Sequence, residues 1–140
     1  MSRTLLFVLV MGSVSASAGS PLPPRLYDVT TETSLPHLEE NLRYSITHEK
    51  RCLAEKDFAT AFPVLAHPAL ASCRLDLDKR APDHISYVLN CEGGHGTTGR
   101  AQWDLGKHRL TGTLHVKLGG KNMTFQQRVT AEPVAKCARR

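Results

Sequence analysis

The sequence predicts a mainly β fold: a single antiparallel meander sheet or half-barrel of about six to eight strands, with one short helix and two disulfides. Three observations predict it. Apolar and polar residues alternate in short runs, Gly and Pro turn signals separate those runs, and four cysteines (Cys52, Cys73, Cys91 and Cys137) follow an N-terminal export signal.

The export signal comes first. Arg3 gives it a positive start, Leu5 to Met11 an apolar centre, and Ala16–Ser17–Ala18 an A-x-A cleavage site. Residues 1–18 are therefore read as a signal peptide and 19–140 as one disulfide-bonded domain, periplasmic or secreted. No apolar run approaches the roughly 20 residues of a membrane-spanning helix. A domain this small has a modest core, and cross-links help it.

After Pro21–Leu22–Pro23–Pro24, the run from Leu26 to Thr33 reads as a first strand with Tyr27 and Val29 inward. A polar connection over 34–41 follows. Leu42, Tyr44, Ile46 and His48 then alternate with Arg43, Ser45 and Thr47 as a second strand, and Cys52 comes directly after it. Residues 54–62, AEKDFATAF, are the helical candidate, with Phe58, Ala61 and Phe62 on one face and Pro63 as the stop. Residues 63–72 are an apolar loop or a second helical turn.

The stretch Cys73–Cys91 reads as a hairpin folded about Pro82. Residues whose numbers sum to 164 then face each other: Cys73 with Cys91, Leu75 with Leu89, Leu77 with Tyr87. A slip of one residue would break all three matches together. That register pairs Cys73 with Cys91 and leaves Cys52 for Cys137. Zinc is not expected, because no two cysteines have metal-ligand spacing.

The last third is a meander. Ala101, Trp103 and Leu105 run into Gly106–Lys107, read as a two-residue turn that sets Trp103 opposite Leu110. Leu110 to Leu118 return to Gly119–Gly120–Lys121–Asn122, which sets Val116 opposite Phe125 in the last strand. Ala101, Gly112 and Val129 then form a row of space on the inner face. We expect the 54–62 helix to fill it rather than a ligand.

The order of these features resembles a known family. The export signal, P-P-x-L-Y-x-V-T-T-E-T from Pro23, R-C-L at Cys52, the hairpin ending N-C-E-G-G, the G-R-A-Q-W and G-T-L strands and the terminal Cys137 are similar to the bacterial domain of unknown function 3617. The resemblance covers residues 23–137, with Tyr27 where Trp is usual and Lys136 where a glycine is common. It implies a small exported β-domain and supplies neither activity nor catalytic residues.

Chemistry-bearing motifs are scarce. The seven histidines (37, 48, 67, 84, 95, 108 and 115) show no metal spacing, and no nucleophile elbow or phosphate-binding glycine loop occurs. His95, within Gly93–Gly96, is read as a solvated loop residue, Asp76 and Asp78 as a solvated face beside Arg74. Asn122–Met123–Thr124 is a chance match to a glycosylation acceptor. No catalytic set, metal or cofactor is expected. An enzyme alternative would have to assemble a site from scattered residues such as His48, His115 and Asp104.

Charge is more directive. Residues 100–140 carry nine Lys/Arg against Asp104 and Glu132, while the rest of the mature chain has a net charge of −3. The sheet register sets Arg100, Thr113 and Arg128 in one outward row and His115 beside Gln126 in the next. This face is the candidate surface for an anionic envelope component, small ligand or acidic protein. Nucleic acid is disfavoured, since few aromatics are exposed to stack bases. The expected function is a non-enzymatic binding module of the cell envelope.

Overall fold

The computed structural model describes residues 21–34, 44–93, 96–120 and 123–138. The predicted signal peptide, the predicted connection over 34–41 apart from Ser34, Leu42 and Arg43 of the predicted second strand, His95 and Asn122 lie outside them. Seven antiparallel strands form one open sheet: β1 (Arg25–Ser34), β2 (Tyr44–Leu53), β3 (Cys73–Arg80), β4 (His84–Cys91), β5 (Thr98–Leu105), β6 (Leu110–Leu118) and β7 (Met123–Ala135). Their order is β2-β1-β7-β6-β5-β4-β3, so the first strand lies between the second and the last. Both predicted disulfides are present, Cys52–Cys137 and Cys73–Cys91.

The β3–β4 hairpin has the register the sequence predicts, with Cys73 opposite Cys91, Leu75 opposite Leu89 and Leu77 opposite Tyr87. A bulge between Leu77 and Lys79 then shifts it, and Leu77 is left 60% exposed on an edge strand rather than packed inward. β6 and β7 also pair as expected, Val116 opposite Phe125.

Between β5 and β6 the expected register is wrong by two residues. Trp103 faces Gly112, not Leu110, and the turn covers Gly106–Arg109, closed by the Gly106 amide donating to the Arg109 carbonyl at 3.0 Å. The physical reason is bulk. A Cβ at Gly112 would come within 2.6 Å of the Trp103 ring, so the indole can lie flat only where its neighbour has no side chain. Arg100 consequently aligns with His115 and Thr113 with Gln102, so the row Arg100–Thr113–Arg128 does not exist. Nor do Ala101, Gly112 and Val129 share one row: Trp103, Gly112 and Val129 do.

Residues 54–72 form a strap that leaves edge strand β2, crosses the inner face and enters the opposite edge strand β3. It contains three short 3₁₀ helices (Glu55–Thr60, Pro63–Ala66 and Pro68–Leu70) in place of the single helix predicted over 54–62. Pro63 and Pro68 lack the amides a continuous helix needs. The predicted inward residues Phe58, Ala61 and Phe62 are nonetheless all buried, joined by Leu70. The Phe58 ring stacks on Trp103 at 4.4 Å between centroids, and Phe62 tilts against it at 5.6 Å. The space beside Gly112 is thus filled by the strap.

Polar anchors hold the strap in place. The buried Trp103 Nε1 donates to the Phe58 carbonyl at 3.2 Å. Gln127, also buried, accepts from the Val64 amide at 3.2 Å and donates to Thr33 Oγ1 at 2.8 Å, linking strap, β7 and β1. At the β3 edge Arg80 grips Glu55 with two hydrogen bonds of 2.9 and 2.7 Å. This paired geometry holds the Glu55 carboxyl below its ordinary value of 4.5. A depressed carboxyl stabilises the fold fully above that value and loses its contribution as pH falls through the folded pKa. Glu55→Gln is therefore expected to be less stable than the parent at pH 7, with the gap narrowing at a second pH well below 4.5. Urea unfolding at both pH values checks this, and a gap independent of pH would contradict it.

β2 corrects a further expectation. It extends through Cys52 to Leu53, so Cys52 lies within the strand, and its alternation points Ile46 and His48 away from the core. Ile46 is 48% exposed.

Candidate functional site

The strap covers one face of the sheet and leaves the other open. Every outward side chain of β4 to β7 lies on that open face because the strands alternate strictly there. Two cross-strand rows frame an open trough of about 1080 Å³. One is Val88–Arg100–His115–Gln126, continued by Ser34 of β1; the other is Thr98–Lys117–Thr124, with Asn90 at its end. The row between them, Leu89–Gly99–Val116–Phe125, turns its side chains to the core, so the trough has a backbone floor. Across the strand spacing, β4 to β1 spans about 19 Å.

The lining is chemically one-sided. Among the described residues its charged or chargeable members are Arg100, His115 and Lys117, with no carboxylate. The remainder of its polar lining is amide and hydroxyl: Asn90, Gln102, Gln126, Ser34, Thr97, Thr98 and Thr124. Arg100 has a long ion pair with Asp78 at 3.8 Å, and Lys117 has none with a described residue. An exposed pair of that length contributes little and leaves the guanidinium available.

Of the four surface residues predicted from sequence, Arg100 and His115 are neighbours in the trough. Thr113 and Arg128 are opposite each other in the next row, on the same open face but outside the trough. The expected pairing of His115 with Gln126 is present, while sequence reasoning missed Lys117 and Asn90. Their signal was parity: Lys117 lies two residues from His115 on β6, and Asn90 two residues from Val88, which faces Arg100.

The scattered residues that an enzyme would need are not brought together. His48 and Asp104 belong to one row, His48–Thr30–Thr130–Thr111–Asp104, but stand on β2 and β5, about 19 Å apart at sheet spacing. His48 instead meets Thr30 Oγ1 at 3.1 Å, and Asp104 meets His84 Nδ1 at 2.9 Å. Asp76 accepts from Arg74 Nε at 3.0 Å and from Asn90 Nδ2. Its hydrogen bond from Asn90, then that from Arg74, lowers the Asp76 carboxyl, a structural tie within the hairpin. Among the described residues no group of three His, Cys, Asp or Glu could hold a metal ion, and no helix is long and apolar enough to cross a membrane.

The two disulfides fit an oxidising, non-cytoplasmic environment. Comparison of the chain with protein-family models, with curated proteins and with solved structures finds no significant match.

Proposed function

We propose that this is an exported, non-enzymatic envelope domain, periplasmic or secreted, that binds an anionic polymer in the trough on its open sheet face. The observation that carries this reading is the lining itself: among the described residues, Arg100, His115 and Lys117 with no carboxylate, set among amides and hydroxyls. Cations meet the charge of the ligand, while Asn, Gln, Thr and Ser give and accept hydrogen bonds along it. A hydroxyl-rich acidic chain matches that pattern better than a bare lipid headgroup, because three cationic or chargeable groups and seven amide or hydroxyl side chains are spread from β4 to β7 and the end of β1.

The test is binding to polygalacturonate, to its neutral methyl ester, and to vesicles of phosphatidylglycerol. We expect measurable, salt-sensitive binding to the acidic polymer and little to the neutral one. Arg100→Glu with Lys117→Glu should weaken it at least tenfold, about 1.4 kcal/mol, while Arg128→Glu, outside the trough, should weaken it less. Equal binding of the double variant and the parent across a salt titration would reject the proposal. Tighter binding to vesicles would move the ligand from polymer to lipid.

A further inference from the structure

The two edges of the sheet are built unequally. β3 carries Arg74, Asp76, Asp78 and Lys79 along its length and is bulged after Leu77. Charges and bulges are the ordinary means of keeping an edge strand from pairing with another chain. β2 has neither protection in its first half. It pairs with β1 from Tyr44 to Leu53 without a register shift, and Glu49, Lys50 and Arg51 are confined to its second half. The first half, Tyr44–Ser45–Ile46–Thr47–His48, is polar or β-branched, and its Ile46 is exposed on the same face as the trough.

We infer that this edge is a self-association surface, on which two copies of the chain pair antiparallel through β2 with Ile46 opposite Ile46. An antiparallel pair of identical strands is related by a twofold axis normal to the sheet. Outward residues must then meet outward residues, which restricts the pairing to a few registers. Centring on Ile46 brings two exposed apolar side chains together, sets Ser45 opposite Thr47, and opposes no like charges. Centring on Lys50 would place two ammonium groups face to face, and centring on His48 would set Ile46 against Lys50. Cross-strand apolar pairs are the unit that stabilises such an edge. The joined sheet carries both open faces on one side.

Sedimentation of the purified exported protein over a wide concentration range tests this. A concentration-dependent monomer–dimer equilibrium is expected for the parent. Ile46→Lys and Ile46→Glu, each checked for an unchanged circular dichroism spectrum, should both sediment as monomers. Mixed in equal amounts they should dimerise at least tenfold more tightly than either alone, because the chosen register sets the new charges opposite each other. A parent that stays monomeric at every concentration would overturn the inference. So would a mixture no tighter than its separate components, since that result excludes the Ile46–Ile46 register.

Discussion

Replacing Cys52 and Cys137 together with serine is expected to remove about 4–5 kcal/mol of stability, against about 3 kcal/mol for replacing Cys73 and Cys91. The first bond spans 85 residues and the second 18, so the first restricts the unfolded chain more. Native geometry reinforces the difference. Without its disulfide the β3–β4 hairpin keeps Leu75 against Leu89 and the Asp76–Asn90 hydrogen bond. Among the described residues edge strand β2 pairs only with β1, and Cys137 is its covalent tie to the end of β7. Urea unfolding of the two double variants measures the contrast. A less stable hairpin variant would show that local strand packing, not chain entropy, sets the order.

The second large effect centres on Trp103. Its indole is fully buried, stacked on Phe58 and hydrogen-bonded to the strap, so Trp103→Ala is expected to cost about 3–5 kcal/mol. The seat matters as much as the ring. Gly112→Val would drive methyl groups into an indole that already lies 2.6 Å from the position of a Cβ, and a packed core cannot move aside cheaply. The same Gly112→Val change in a Trp103→Leu background should cost less, by about 1–3 kcal/mol of coupling. A double-mutant cycle by thermal or urea unfolding measures that term, and strict additivity would deny that Gly112 exists to seat the tryptophan.

The parts of the fold legible in the sequence are those where several constraints coincide. The β3–β4 register was fixed by a cysteine pair and two apolar pairs at once, and β6–β7 by the glycines at 119–120. The β5–β6 register was not, because a slip of two residues keeps every side chain on its proper face, and alternation cannot see it. The volume of Trp103 against the absent side chain of Gly112 was the clue that could have corrected it. For the site, alternation placed Arg100, Thr113, Arg128 and His115 on one face, but their mutual alignment depended on the same slipped register. Gln127 shows another limit: its parity points inward, yet only the strap's Val64 amide and Thr33 explain a buried amide there. The crossing strap joins residues 45 and 63 positions apart, and the pairing of β1 with β7 spans still more, which local pattern does not encode.

That placing of β1 has a consequence in time. The first strand is complete only when the last one arrives, because Leu26 pairs with both Cys52 of β2 and Ala135 of β7. During synthesis Cys73 is available to Cys52 before Cys91 and Cys137 exist, so the first bond the chain could form is a wrong one. The correct pairs are nested, Cys73–Cys91 within Cys52–Cys137, so the outer pair waits for the C-terminal cysteine. A chain with contacts this distant folds slowly and spends its waiting period with the β1–β2 hairpin open to other partners. A Cys52–Cys73 bond formed at that stage has to be undone by thiol–disulfide exchange before both correct pairs can form.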